Sequence, residues 1–114
     1  MKSKILFKVF PIIVFCAASL NPVSADENGA GDVVAGKVKS VLCLGCHGVN
    51  GEGKVAADQQ PDYPRLASQI PGYFIKSLND YKKDIRQDPL MNVLAKSLTE
   101  ADIANLAAYY ATLD

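Results

Sequence analysis

The 114-residue chain contains 12 basic and 12 acidic side chains, 49% hydrophobic residues, one histidine and three cysteines. This length fits one small domain. Three of the basic residues and none of the acidic ones lie in residues 1–25, so a chain that starts at Asp26 has a net charge of −3. A mildly acidic domain argues against nucleic-acid binding, which depends on clustered Lys and Arg side chains.

Residues 1–25 have the pattern of a secretory signal peptide. Three lysines precede the apolar run 9–20, and Val-Ser-Ala at 23–25 forms a small-residue cleavage pattern. We therefore expect a periplasmic protein whose domain occupies residues 26–114. An uncleaved segment would instead anchor the chain in a membrane, but the run is short and Pro11 interrupts it.

The first predicted helix runs from Asp32, a candidate N-cap, to Cys43. Its hydrophobic side chains recur at helical spacing and predict one apolar stripe, made of Val34, Val38, Val41 and Leu42. Gly36 lies in the middle of this helix, where glycine costs about 1 kcal/mol relative to alanine. Either the helix tolerates that cost or another backbone comes close at this position.

A glycine-rich loop and a proline-punctuated segment follow, between residues 48 and 66. The second predicted helix has Pro71 in its first turn. Its apolar face is formed by Phe74, Leu78, Tyr81 and Ile85. We expect Asp88-Pro89 to break this helix and to leave Leu90 and Met91 on a loop or at the entry to a short helical turn.

The last predicted helix begins with a capping box, in which Thr99 is the N-cap and Asp102 takes the position usual for Glu. Its inward positions are Ile103, Leu106, Ala107, Tyr110 and Leu113. No alternation typical of a sheet is present, so the sequence predicts an all-α fold of three main helices joined by short turns and long loops. Such long loops in a small domain suggest that a staple, a metal or a cofactor organises them.

The reactive side chains cluster in Cys43-Leu44-Gly45-Cys46-His47, because Cys16 lies in the predicted signal peptide. This sequence is C-x-x-C-H, the attachment motif for c-type haem. Two cysteines three residues apart share one face of a helical turn, so both thiols can reach the vinyl groups of one porphyrin edge. The next residue, His47, is then placed as an axial ligand of the iron.

Three other readings of this cysteine pair stay open. A redox-active dithiol of the thioredoxin type would need strands around it, and none is predicted. A structural zinc site usually has four ligands, whereas only three candidates are present. A local disulfide would close too short a loop to stabilise much, and would leave the adjacent histidine unexplained.

Met91 is the candidate for the second axial ligand. No histidine other than His47 exists, and Met91 is the only methionine left once Met1 is removed with the signal peptide. A His/Met pair is the ligation pattern of cytochromes c. The alternative is that Met91 only fills space in the core, as methionines commonly do.

Residues 32–113 resemble a monohaem class I c-type cytochrome, of the bacterial cytochrome c553 type and of single domains of cytochrome c4. Four ordered blocks carry the resemblance: CLGCHG at 43–48 followed by NGEG at 50–53, YPRLASQ at 63–69, Met91, and LTEADIANLAAYY at 98–110. One departure is Ser68, where these relatives commonly carry glycine.

The resemblance implies one covalent haem c per chain, attached through Cys43 and Cys46, with His47 as the proximal ligand and Met91 as the distal ligand. It also implies that the carbonyl of Pro64 accepts the Nδ1 proton of the haem histidine. The first and last helices should cross near Gly36, where Tyr109 or Tyr110 approaches, and the apolar pattern places Tyr110 inward.

Arg65, Tyr73 and Arg86 are candidates for contacts with the haem propionates, because a guanidinium pairs well with a carboxylate. Together these features predict a monomeric one-electron carrier between donor and acceptor proteins, with no small-molecule substrate and no enzymatic turnover. Two alternatives remain: a haem sensor or peroxidase-like protein with an open or displaceable sixth position, and a haem subunit of a larger oxidoreductase complex.

Overall fold

The computed structural model describes residues 30–54 and 63–114. The predicted signal peptide, Cys16 and Pro61 lie outside these ranges. The described residues form five helices: α1 (Val33–Lys39), α2 (Val41–His47), α3 (Pro71–Lys82), α4 (Pro89–Lys96) and α5 (Glu100–Ala111). Within the same ranges no strand occurs, and only an isolated antiparallel bridge joins Lys54 to Tyr63. The all-α fold class is confirmed.

The prediction of one continuous first helix is wrong, because the chain divides at Ser40 into α1 and α2. The Ser40 N–H closes α1 on the Gly36 carbonyl, and its hydroxyl donates to the Lys37 carbonyl at 2.7 Å. The Cys43 N–H then donates to the Ser40 carbonyl at 2.8 Å. A serine that satisfies backbone groups in this way favours a turn over a helix interior. The predicted N-cap is confirmed, since Asp32 accepts from the Ala35 N–H.

The predicted apolar stripe on this first segment is also wrong. Val34 and Val38 are 73% and 70% exposed, and Val41 and Leu42 are exposed as well. The buried side of α1 and α2 is formed instead by Gly36, Ser40, Cys43 and His47. The segment is helical, as the spacing predicted, but the valines face solvent. The side of α1 that packs against α5 carries Gly36 instead.

Helix α5 crosses α1 at Gly36, as the resemblance implied. A Cβ atom on Gly36 would lie 2.0 Å from the Asn105 carbonyl oxygen and 2.7 Å from Tyr109 Cβ. The capping box of Thr99 and Asp102 is confirmed. Four of the five predicted inward positions of α5 are buried, Tyr110 among them, and Leu113 is half-buried beyond the helix end.

Helix α3 begins at Pro71, as predicted, and buries Phe74 and Leu78. It ends at Lys82, so Ile85 lies beyond it and is 70% exposed, contrary to the prediction. The connection to α4 turns at Asp84, whose φ of 58° is in the left-handed region.

Met91 lies in the first turn of a regular helix, α4, and not on a loop. Asp88 is the N-cap, and its carboxylate accepts from the N–H groups of Leu90 and Met91 at 3.0 and 2.9 Å. Pro89 occupies the first helical position, where its fixed φ and missing N–H cost nothing. Asp88-Pro89 therefore separates α4 from α3, as predicted, and also starts α4.

Candidate haem-binding site

A cavity of about 420 Å³ opens between α2, the segment that follows Tyr63, and helices α3 to α5. Its inner wall is largely apolar and includes Leu66, Phe74, Leu78, Leu98 and Leu106. All of the site residues predicted from the sequence line this one cavity: Cys43, Cys46, His47, Pro64, Arg65, Tyr73, Arg86 and Met91. The fold thus brings together side chains that are separated by up to 48 positions in the chain.

Helix α2 places the two cysteines on the wall of the cavity. Cys43 is buried and Cys46 is exposed, and neither forms a disulfide. Burial raises the pKa of the Cys43 thiol above its usual value. The two sulfur atoms therefore differ in solvent access along one helical turn, with Cys43 inside the core and Cys46 at the mouth.

His47 is the last residue of α2, and its imidazole is buried. Its Nδ1 lies 2.7 Å from the carbonyl oxygen of Pro64. A carbonyl can only accept a hydrogen bond, so Nδ1 carries the proton and Nε2 keeps its lone pair for a metal ion. A hydrogen bond of this kind also fixes the ring orientation and makes the imidazole a stronger donor.

Backbone contacts bring Pro64 to the histidine. The Gly53 N–H donates to the His47 carbonyl at 2.7 Å, and Lys54 pairs with Tyr63 on the opposite segment. Gly53 has a φ of +79°, and a Cβ atom there would lie 2.8 Å from the Arg65 backbone nitrogen. Only glycine fits this position without strain, which explains why the glycine-rich loop directly follows the C-x-x-C-H motif.

The Met91 side chain is half-buried on the wall of the cavity and packs against the hydrophobic core. A thioether is a soft, weak acceptor that needs no partner to satisfy it in an apolar wall. Its position in the first turn of α4 is set by the N-cap at Asp88, which agrees with the second of the two predicted alternatives, the entry to a short helical turn.

Arg65, Tyr73 and Arg86 are exposed residues at the rim of the cavity. The Arg65 Nε donates to the Ala67 carbonyl at 3.3 Å, and the Arg86 guanidinium lies 4.8 Å from the centre of the Tyr81 ring. Neither guanidinium forms an ion pair with another residue that the structure describes. Both are placed where they can meet an anionic group that protrudes from the cavity.

The donor set fits haem better than a bare metal ion. No group of three or more His, Cys, Asp and Glu side chains within residues 30–54 and 63–114 is arranged to hold an ion. Haem brings four nitrogen ligands of its own, so one imidazole and one thioether complete its iron. The apolar walls suit the porphyrin, and the two thiols and two guanidinium groups suit its vinyl and propionate substituents.

The sequence predicted that Tyr110 faces inward but not the state of its hydroxyl group, and it did not predict the burial of Asn92. The Tyr110 hydroxyl is buried without a hydrogen-bond partner among the described residues, and burial beside Cys43 raises its pKa well above the usual value. Asn92, the residue after Met91, is buried and fully hydrogen bonded. The sequence did carry a signal for α4, because Asp88 is a typical N-cap residue and Pro89 is typical of the first helical position.

Comparison with known proteins finds similar chains and a matching family model. The family model for cytochrome c matches residues 33–114. Cytochrome c-554(548) of Halomonas halodenitrificans is 37% identical over 86 residues, which cover 73% of this chain and 98% of that protein. Cytochrome c4 of Thiocapsa roseopersicina is 42% identical over 83 residues, but these are 72% of this chain and only 40% of the relative.

A solved structure of cytochrome c4 from Acidithiobacillus ferrooxidans, reported as supporting a complex-induced tuning of electron transfer, has the same fold. It superposes with a TM-score of 0.64 at 30% identity, over 84% of this chain and 58% of that chain. The chain thus spans about two fifths to three fifths of the cytochrome c4 proteins it matches, and nearly the whole of cytochrome c-554(548).

Proposed function

This chain belongs to the cytochrome c family, and we propose that it is an exported monohaem electron carrier whose iron is bound by His47 and Met91. Residues 26–114 form the cytochrome domain in this proposal, and residues 1–25 direct export and are removed. Its place of action is then the periplasm. In the part of the chain that the structure describes, no helix is long and apolar enough to cross a membrane.

The observation that carries the proposal is the hydrogen bond between His47 Nδ1 and the Pro64 carbonyl. It holds a buried imidazole in the tautomer that ligates a metal through Nε2, on the wall of a cavity that Met91 also lines. Thioether links from Cys43 and Cys46 would fix the porphyrin edge beside that imidazole. A histidine that only filled the core would need none of these partners.

When bound, haem supplies a one-electron couple between Fe(III) and Fe(II). The chain contributes the environment of that couple. His47 and Met91 would hold the iron and leave no site on it for a substrate, and the thioether would favour the reduced state. The apolar walls exclude water, and Arg65, Tyr73 and Arg86 are placed to bind the propionates. The protein therefore carries electrons and does not turn over a substrate.

Its partners in this proposal are electron-donor and electron-acceptor proteins, with no nucleic acid and no small molecule among them. The electron-transfer complex reported for the cytochrome c4 neighbour supports this class of partner. We infer a single cytochrome domain with one haem per chain, because the chain matches cytochrome c-554(548) over 98% of that protein's length, and we propose that this chain acts as a monomer.

Optical spectra of the full-length gene product, expressed with a c-haem maturation system, test the proposal. The purified protein should keep its haem under denaturing conditions, and the oxidised form should show the weak long-wavelength band of an iron–methionine bond. The double variant Cys43→Ala/Cys46→Ala should lose covalent haem. A high-spin spectrum in the unaltered protein would instead favour the sensor or peroxidase-like alternative.

The variant Met91→Ala should keep covalent haem but lose the long-wavelength band, since the sixth position opens. Val93→Ala is the matched control, because Val93 also lies in α4, is 72% exposed and is not among the residues that line the cavity. This control should retain the band. Retention of the band in Met91→Ala would contradict the assignment of Met91 as the distal ligand.

A further inference from the structure

One buried side chain joins the start of α4 to the end of α3. The Asn92 Nδ2 group donates to the carbonyls of Tyr81 and Arg86 at 2.7 and 2.8 Å. Its Oδ1 accepts from the Asp88 N–H at 2.6 Å. A single amide thus uses both of its donor hydrogens and its acceptor on three backbone groups.

These three backbone groups belong to the turn that leads from α3 into the Met91 helix. Tyr81 lies in the last turn of α3, Arg86 lies in the connection, and Asp88 is the N-cap of α4. Loss of these part-buried bonds is costly, so the amide helps to hold the turn in this shape, together with the Asp84 N–H, which also donates to the Tyr81 carbonyl at 3.2 Å. The amide therefore sets the direction in which the chain enters α4.

Apart from Asn92 and from Met91, which packs against the hydrophobic core, the first half of α4 has few attachments. Pro89 and Leu90 are exposed, whereas Ala95, in the second half of the helix, is fully buried. The ion pair between Lys96 and Asp84 joins side chains that are about half exposed, and such pairs contribute little.

Two further bonds do not replace the Asn92 link. The Asp88 carboxylate caps α4 from within and does not join it to α3. The Lys82 Nζ donates to the Leu98 carbonyl, which lies past the end of α4. Asn92 is thus the main polar attachment of the first turn of α4.

We propose that Asn92 is a positioning residue for the distal ligand: by fixing the first turn of α4 against α3, it keeps the Met91 thioether on the iron and slows its exchange for external ligands. This inference rests on the proposed function, since it requires Met91 to bind the iron. Asn92 acts through the backbone of α4 and does not itself touch the haem.

Imidazole binding to the oxidised holoprotein measures this role. Imidazole competes with the thioether for the sixth position, so at saturating imidazole the observed rate approaches the rate at which Met91 leaves the iron. The loss of the long-wavelength band reports that rate. Loss of two buried hydrogen bonds should raise the limiting rate about tenfold or more.

Two variants separate the contributions of the amide. Asn92→Ala removes all three hydrogen bonds. Asn92→Asp keeps an acceptor for the Asp88 N–H and a similar volume but loses both donors, so it provides a result if the alanine variant folds poorly. Each should accelerate imidazole binding, and each should retain the long-wavelength band before imidazole is added.

Asn105→Ala is the matched control. Asn105 Oδ1 accepts from the Asp32 N–H at 2.7 Å, so this variant also removes an asparagine bond to a backbone group, but at the α1–α5 crossing. Urea unfolding should show that it destabilises the protein, as the Asn92 variants do. The limiting rate of imidazole binding to Asn105→Ala should stay within about twofold of the rate for the unaltered protein, because Asn105 is remote from α4.

The outcomes distinguish the two proposals. An unaltered protein that lacks the iron–methionine band would overturn the proposed ligation, and this inference with it. An unaltered protein that has the band, with Asn92 variants that bind imidazole no faster than Asn105→Ala, would overturn the inference alone. Acceleration in the Asn92 variants and not in the control supports it.

Discussion

The two sides of the haem cavity are held by different kinds of contact. On the histidine side, the Gly53 N–H donates to the backbone carbonyl of His47 at 2.7 Å, and α1 and α5 touch backbone to backbone at Gly36. On the methionine side, α4 packs on α3, and its first turn is attached through the side chain of Asn92. The two proposed axial ligands, His47 and Met91, therefore differ in how rigidly the chain presents them.

Under the proposed ligation, this difference would make His47 the fixed ligand and Met91 the displaceable one. Backbone contacts carry no rotamer freedom of their own, whereas a contact made through one side chain is lost when that side chain moves. We expect local opening to begin at α4, where attachments are few, and to spare the α1–α5 crossing. Substitutions on the rigid side should have the larger effects on stability.

Gly36→Val should cause the largest loss of stability. A Cβ atom would lie 2.0 Å from the Asn105 carbonyl oxygen, so the two helices must separate. We expect a loss of about 3 kcal/mol or more, which is a large share of the stability of a small domain. Urea unfolding measures it. Gly72→Ala is the control, since a Cβ there meets nothing within 4 Å, and equal effects of both variants would contradict the close crossing.

Ser68 offers a smaller test at the other end of α5. Its φ of 59° favours glycine, while its hydroxyl donates to the Leu113 carbonyl at 2.7 Å. Ser68→Ala loses the hydrogen bond and keeps the strain, so it should cost about 1 kcal/mol. Ser68→Gly also loses the bond but relieves the strain, and it should change stability by about 0.5 kcal/mol at most. Thermal unfolding compares the two, and a glycine variant no more stable than the alanine variant would contradict this balance.

Asp102 gives the smallest effect, and it depends on pH. The Thr99 N–H, followed by Lys39 across the α1–α5 interface, holds the pKa of this carboxyl below 3.8. A lowered pKa in the folded state means that the ionised form stabilises the protein above about pH 4 and that this contribution is lost as the pH falls further. Asp102→Asn should therefore unfold in acid with a shallower pH dependence. Identical acid-unfolding profiles would show that the carboxyl contributes nothing.

The sequence predicted elements whose signals are local. The capping box at Thr99, the proline start of α3 and the inward positions of α5 depend on neighbouring residues and were confirmed. The C-x-x-C-H motif likewise pointed to the cavity wall, because a helical turn fixes the relation of its members.

Other features depended on contacts that the sequence does not contain. The period of α1 was visible, but not that its valines face outward, since this follows from the approach of α5 to Gly36. The turn at Ser40 was hidden for a similar reason. The role of Asn92 could not be predicted, because its partners on Tyr81 and Arg86 come together only after the chain has turned into α4.

Amide hydrogen exchange of the oxidised holoprotein tests the difference between the two sides most directly. Amides in α4 (Pro89–Lys96) should exchange through an opening of lower free energy than amides in α5 (Glu100–Ala111). The variant Asn92→Asp should lower the opening free energy of α4 more than that of α5. Equal protection of α4 and α5, in both the unaltered protein and the variant, would contradict the account.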